Sequence, residues 1–280
     1  MSLEIPDFES FIDREKGRPC LVAGNAPSLM NFPFAEFRGV KILTGSGPQI
    51  LKGRARPDYW VNANHMFPVP QKHLRLINSF RDCVFIFSDS AAYWFQNVYD
   101  HDFLEKHIRV PWFAFDERHF NHQKCTPKKD CCRLVDLYPD RLTLQEFVER
   151  HFGVEPVYRG VGTAVLHSLS FAILMGCSPI YLQGIELPLY SKQYLYPRMF
   201  CCRENIYMGL RALKAQAQEW LTGKPKVSDF YHGIKDTLAS FERLTNLCHN
   251  AGREIFNLSP TSNLNQIASL PYKDYKTICP

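Results

Sequence analysis

No run in this 280-residue sequence approaches the roughly 18–20 consecutive apolar residues that a bilayer-spanning helix needs, so an integral membrane protein is not expected. The first residues, with Glu4, Asp7, Glu9 and Asp13, lack the basic and apolar regions of a secretory leader, and a cytoplasmic protein is expected. Excess charge is also scarce. The 33 Lys and Arg exceed the 28 Asp and Glu by only +5, which suits an anionic ligand but falls short of a nucleic-acid-binding surface. Cysteine is present at ten positions but never as a C-x-x-C pair. Cys125, Cys131, Cys132, Cys201 and Cys202 cluster in two loop-like stretches, where zinc and disulfides are the alternatives. For a chain expected to stay reduced, free thiols are the favoured reading. Cys20, Cys83, Cys177 and Cys248 read as small core residues.

What is there is an ordinary globular composition, 45% hydrophobic and 22% charged, long enough to bury a large core. Its most informative stretch is Pro19 to Leu29. Cys20 to Ala23 is a short, wholly apolar run of the kind a buried parallel strand shows, and Gly24-Asn25-Ala26-Pro27-Ser28 breaks it sharply. That turn carries neither G-x-G-x-x-G nor G-x-x-x-x-G-K-[ST], which excludes the standard dinucleotide and P-loop phosphate sites. It still delivers backbone N–H groups and two short polar side chains to the carboxyl edge of a sheet, where open α/β folds bind ligands. The structural alternative is a turn in which Asn25 and Ser28 only cap a helix. Two more strands, Val40 to Leu43 and Asp58 to Val61, end in Thr44-Gly45-Ser46-Gly47 and Asn62-Ala63-Asn64-His65. Three successive polar strand ends point to a binding crevice.

A short helix is predicted over 8–15, a helix over 70–81, and strands over 83–87 and 108–115. Residues 116–140 read as a long polar loop. Asp100-His101-Asp102 matches the D-x-D by which many sugar-nucleotide transferases hold a divalent metal, but without a preceding strand it reads better as a helix cap. A helix over 144–151 ends at Gly153. Gly160-Val161-Gly162-Thr163 then opens a helix over 164–175 whose free N–H groups face an anion. The strand 180–182 follows and ends Gln183-Gly184-Ile185-Glu186, with Glu186 a candidate for a sugar hydroxyl. Residues 187–230 change character. Tyr190, Tyr194, Tyr196, Arg198 and Phe200 precede an amphipathic helix, the composition of a lid that excludes water or of a helical subdomain facing a partner or membrane. His232 is expected in a loop before a helix from Asp236 to Asn250.

Three blocks in order, Ala23-Gly24-Asn25-Ala26-Pro27-Ser28-Leu29, then Gly176 to Glu186, then Tyr231-His232 with Ile255 to Leu264, resemble the bacterial sialyltransferases of glycosyltransferase family 42. The resemblance implies a CMP-sialic acid donor, no cofactor and no metal. By the same resemblance Gly24, Asn25, Ser28, Ser46, Asn62, Gly162, Thr163, Gly184, Ile185 and Glu186 contact the nucleotide. Glu186 stands where the family has Asp. Tyr194 helps the leaving phosphate, Tyr190 substitutes for a second tyrosine whose place Pro188 takes, and His232 is the general base. An imidazole with an ordinary pKa near 6.5 can accept the acceptor's proton near neutral pH. The N-terminal pattern with Pro57-Asp58-Tyr59 is also similar to the MptE-like 6-hydroxymethylpterin diphosphokinases.

The expectation is a single α/β domain over 1–280 with a Rossmann-like, mainly parallel sheet, helices on both faces and an inserted lid at about 187–230. The leading function is an inverting, metal-independent sialyltransferase of the kind used in lipopolysaccharide or capsule assembly. The alternatives are an ATP-dependent phosphotransferase and a nucleotide-binding module without catalysis. Its expected partners are a nucleotide sugar and a glycan or lipid-linked glycan acceptor, and no nucleic acid. A peripheral position at the inner membrane face and a homo-oligomer are both compatible with this reading.

Overall fold

The computed structural model describes residues 8–45, 47–51, 54–62, 70–88, 106–115, 142, 144–154, 164–185 and 228–279. Among these, β1 (Cys20–Ala23), β2 (Val40–Thr44), β3 (Tyr59–Asn62), β4 (Val84–Ser88), β5 (Trp112–Phe115), β6 (Ile180–Gln183) and β7 (Ile255–Asn257) form a single sheet in the order β5-β4-β3-β2-β1-β6-β7. Every pairing is parallel. The α-helices are α1 (Gly47–Leu51), α2 (Pro70–Ser79), α3 (Leu144–Phe152), α4 (Ala164–Leu174) and α5 (Ser228–Asn250). This is the expected α/β, Rossmann-like architecture.

The sequence dictates this arrangement through burial on both faces of the strands. Cys20-Leu21-Val22-Ala23 is buried at all four positions, as a central parallel strand must be. Alternate residues then feed opposite cores. Cys20 and Val22 join a cluster with Val61, Phe113, Leu166, Phe171, Phe241 and Leu244 under α3, α4 and α5. Leu21 and Ala23 join Leu29, Phe32, Phe34 and Phe37 on the other face, where α2 covers β3 and β4 through Leu74 and Ile77. α4 is buried from Leu166 to Leu174, so it is an interior helix and not an amphipathic one. Its Phe171 packs edge-on against Phe11 with ring centroids 5.1 Å apart.

The order of strands locates the ligand edge. The chain runs outward from β1 to β5, then returns to add β6 and β7 on the other side of β1. Ala23 at the end of β1 therefore lies between Leu43 and Gln183. Strand connections depart in opposite directions from such a switch point, which leaves a crevice beyond the carboxyl ends.

Three expectations are corrected. The helix expected over 8–15 is a 3-10 turn, Phe8–Phe11. Beyond it Asp13 takes φ 53°, and the backbone bonds to the end of α4 through Asp13 N to Leu174 O (3.0 Å) and Glu15 N to Met175 O (2.8 Å). The strand expected over 108–115 is confined to Trp112–Phe115, since Pro111 has no N–H to give a ladder; its carbonyl accepts from Phe85 N. His232 lies inside α5, which begins at Ser228, and not in a loop ahead of a helix at Asp236. The region expected to form a lid lies outside the described residues, except that 228–230 open α5.

Candidate functional site

The turn after β1 is closed by β6. Gly24 N donates to Gln183 O (2.8 Å) and Ala26 N to Gly184 O (2.9 Å), extending the β1–β6 ladder past the ends of both strands. The approach is so close that a β-carbon on Gly24 would sit 2.3 Å from Gly184 O, which makes glycine obligatory there. Gly184 itself has φ +71°, and a β-carbon there would stand 3.0 Å from Leu29 Cβ.

The turn after β2 faces it. A β-carbon built on Gly45 would be 3.8 Å from Asn25 Nδ2, and one on Gly47 3.3 Å from Gly24 O. Gly45 is pinned from β3, its N–H donating to Val61 O (2.9 Å) and its carbonyl accepting from Trp60 Nε1 (2.8 Å). Asn62, at the end of β3, is fully buried. Thr44 Oγ1 and Ser168 Oγ share a hydrogen bond of 2.8 Å, and Ser168 also donates to Ala164 O. These contacts hold the first turn of α4 beside the carboxyl end of β2, so the N–H groups that have no acceptor within the helix lie at this edge.

The third contributor arrives from the far end of the chain. Leu258 N donates to Leu182 O (2.8 Å), and Ser262 Oγ donates to Ile185 O while accepting from Leu264 N as a helix cap. Asn257 and Asn265 brace this segment internally, Asn257 Nδ2 donating to Asn265 Oδ1 at 2.7 Å. Ser259 Oγ then meets Ser28 Oγ at 3.0 Å and accepts from Gly184 N at 3.3 Å. Gln183 Nε2 donates to both Ser28 O (2.9 Å) and Ser28 Oγ (3.0 Å).

Counting protons in this knot gives it chemical content. Two hydroxyls carry two protons, and their mutual bond uses one. Whichever serine donates, one hydroxyl proton is left among the described residues. Gln183 Oε1 is buried and has no donor among them. A spare donor and a spare acceptor thus stand together where β1, β6 and the segment after β7 converge. An unmet buried amide oxygen costs about 1–3 kcal/mol, a cost that a ligand N–H or O–H would relieve.

Of the residues proposed for the nucleotide, Gly24, Asn25, Ser28, Asn62, Gly184 and Ile185 lie at this one edge. Ser46, Gly162, Thr163, Glu186, Tyr190 and Tyr194 lie outside the described residues, as do Asp100, Asp102 and the clustered cysteines Cys125, Cys131, Cys132, Cys201 and Cys202. α5 ends beside the amino end of β6, where Ile180 N donates to Glu254 O. Its 23 residues, about 34 Å of helix, run back along the sheet, so the backbone of His232 belongs to the carboxyl side. Gln183 and Ser259 were missed as site residues. Both lie within the blocks that carry the family resemblance, Gln183 closing β6 and Ser259 just beyond β7, and that position was the signal that could have found them.

Pro57-Asp58-Tyr59 is at the opposite edge. Asp58 Oδ2 accepts from Lys41 N (2.7 Å), and Tyr59 donates its hydroxyl to Glu15 Oε1 (2.6 Å). Burial, then that hydrogen bond, pushes the phenol's pKa up. The tripeptide staples β2 to β3 and the N-terminal turn, so these residues lend the similarity to the diphosphokinases no support at the carboxyl edge. Among the described residues no group of three or more His, Cys, Asp or Glu is arranged to hold a metal, and no helix is long and apolar enough to cross a membrane.

No protein-family model matches the chain, and no curated protein matches it significantly. Among solved structures it is similar to an apo alpha-2,3-sialyltransferase from Campylobacter jejuni, at 14% identity and a TM-score of 0.41, over 95% of this chain and 83% of that one. The sialyltransferase CstII from Campylobacter jejuni in complex with cytidine-5'-monophosphate aligns at 14% identity and TM-score 0.40, over 93% of this chain and 86% of that one. The MAf glycosyltransferase from Magnetospirillum magneticum AMB-1 aligns at 13% identity and TM-score 0.36, over 68% of this chain and 30% of that one.

Proposed function

We propose that the protein is an inverting glycosyltransferase that moves sialic acid from CMP-sialic acid to a hydroxyl of a glycan or lipid-linked glycan acceptor. The observation that carries this reading is the meeting of sequence blocks at one edge. Ser28 and Ser259, 231 positions apart, share a hydrogen bond, and Gln183 from the block between them bonds to Ser28. These are the segments through which the sequence resembles family 42.

In this reading the turn at Gly24 to Ser28 and the first turn of α4 receive the CMP moiety. The spare hydroxyl proton of the Ser28–Ser259 pair donates to it, and the buried Gln183 Oε1 accepts from it. The acceptor oxygen attacks the anomeric carbon as the bond from that carbon to the CMP phosphate breaks. The electron pair leaves with the phosphate, where Tyr194 and Tyr190 donate hydrogen bonds. The acceptor proton passes to His232. Hydroxyls and helix N–H groups offset the developing charge without a metal. A panel of CMP, CDP, ATP with magnesium and GTP, read by thermal shift and calorimetry, tests the reading. CMP-selective stabilisation is expected, whereas a response to ATP with magnesium alone would replace this function with phosphoryl transfer.

A further inference from the structure

On the opposite side of the sheet a cavity of about 420 Å³ lies between the carboxyl half of α2 and the segment leading into β5, lined by Leu74, Arg75, Asn78, Ser79, Lys106, His107 and Arg109. Asn78 builds it. Its Nδ2 donates to His107 O (2.8 Å) and its Oδ1 accepts from Arg109 N (2.7 Å), a two-point clamp that lays 107–109 along the helix. Ile108 and Val110 turn inward beneath α2, each 5% exposed. Lys106, Arg109 and Arg75 are left exposed in the cavity lining.

The charge is one-sided. Among the described residues three permanent cations and an imidazole line the cavity, and no carboxylate does. Elsewhere Lys16 and Arg253 pair with Asp13, and Arg18 with Glu15. Among the described residues Arg75, Lys106 and Arg109 have no ion pair or side-chain hydrogen bond. The carboxyl end of α2 contributes about half a negative charge, far short of three positive ones. Like charges gathered in a concavity repel and focus a positive potential there, which a multivalent anion relieves. Arg guanidinium groups match phosphate oxygens in pairs.

We propose that this cavity is a second ligand site, specific for a phosphate monoester or diphosphate group and separate from the carboxyl-edge crevice. The ligand is either a soluble phosphorylated metabolite or the headgroup of an anionic lipid. The binding is electrostatic, so it weakens with salt.

The test titrates inorganic pyrophosphate at low ionic strength into wild type, Arg75→Gln/Arg109→Gln and Asn78→Ala by calorimetry. Amide chemical shifts of the ¹⁵N-labelled chain are followed in parallel. Saturable binding is expected, with shifts centred on Arg75, Asn78 and 106–109 and at least a tenfold rise in Kd for the double variant at unchanged melting temperature. Vesicles of phosphatidic acid separate the sources. Flotation of wild type but not of the double variant identifies a lipid headgroup, and pyrophosphate binding without flotation identifies a soluble ligand. Absence of binding, equal affinity in wild type and the double variant, or shifts centred on Gly24 and Gly184 would overturn the proposal. If Asn78→Ala does not fold, the Arg75→Gln/Arg109→Gln pair decides alone, since both side chains are exposed.

Discussion

At the amino-terminal edge of the sheet sulfur fills the gaps. Cys20 opens β1, Cys83 precedes β4, Cys177 precedes β6 and Cys248 ends near the last turn of α5, and all four are buried. At the carboxyl-terminal edge the corresponding places hold oxygen and amide nitrogen: Thr44, Asn62, Gln183, Asn257 and Ser259, each also buried. A buried thiol asks little of its surroundings, whereas each buried hydroxyl or amide must find a partner. Around these four thiols the first edge is therefore dry, and the α2 cavity lies outside that cluster of sulfurs. The other carries unmet hydrogen-bonding capacity at Gln183 Oε1 and at the Ser28–Ser259 pair. The contrast also sorts motifs, because a resemblance bears on the proposed nucleotide crevice only if its residues fall on the second edge. Pro57-Asp58-Tyr59 fell on the first.

The prediction with the largest effect falls on the carboxyl side. As general base, His232 should contribute on the order of 10²–10⁴ to the rate and little to donor affinity. His232→Ala should then lose transfer from CMP-sialic acid while calorimetry finds CMP affinity near wild type. Near-normal turnover would remove His232 from the mechanism and move the base elsewhere on that edge.

Glycine substitutions sharpen the contrast next. Gly24→Ala drives a methyl into the Gly184 carbonyl and should cost about 1–3 kcal/mol of stability by overpacking, with CMP affinity lost as the turn shifts. Gly252, at the amino edge, has φ +70° with open space around it. Alanine there costs about 1–2 kcal/mol through the left-handed backbone alone and should leave CMP binding unchanged. Equal effects on CMP affinity would erase the functional difference between the edges.

Ser28→Ala removes one hydroxyl from the knot but leaves Gln183 Nε2 its bond to Ser28 O. Stability should fall by about 1 kcal/mol, while CMP binding weakens by about 1–3 kcal/mol because the hydroxyl in the nucleotide turn is gone and the one proton left belongs to Ser259. A stability loss without an affinity loss would make the knot purely structural.

Much of this edge was legible in the sequence because apolar runs ending in Gly, Asn or Ser mark parallel strands and their exits. The strands at Cys20, Val40 and Ile180 and the closure of α4 at Gly176, with φ +76°, follow from local pattern. The hydrogen bonds joining Ser28, Gln183 and Ser259 depend on β6 inserting between β1 and β7, which no window of sequence contains. The failed helix at Phe8 to Glu15 has the same origin. Its amphipathic period is real, with Phe8 and Phe11 buried, but backbone bonds to Leu174, Met175 and Gly176 outbid the helix. Clamping of 107–109 by Asn78 is likewise a tertiary event, and it turns a basic tripeptide into the wall of a cavity.

The smallest predicted effect belongs to the amino edge and concerns pH. Burial first, with a nearby carboxylate or thiol adding to it, pushes the Cys83 and Cys248 thiols from their ordinary 9.0 up to about 12. The folded state thus holds these protons more tightly than the unfolded chain does. Below about pH 9 both states are protonated and stability is flat with respect to these groups. Between pH 9 and 12 only the unfolded chain ionises, so stability falls as pH rises. The slope approaches about 1.4 kcal/mol per pH unit for each thiol, and the loss is about 1.4 kcal/mol each at pH 10. Cys20, also raised by burial, and Tyr59 act in the same direction. Urea denaturation of wild type and Cys83→Ala/Cys248→Ala at pH 8 and pH 10 isolates the two thiols. The variant is less stable at pH 8 because of its cavities, but should lose about 2–3 kcal/mol less than wild type between the two pH values. Equal losses would mean that water reaches these sulfurs in the folded state, and the amino edge would no longer be the dry counterpart of the carboxyl edge.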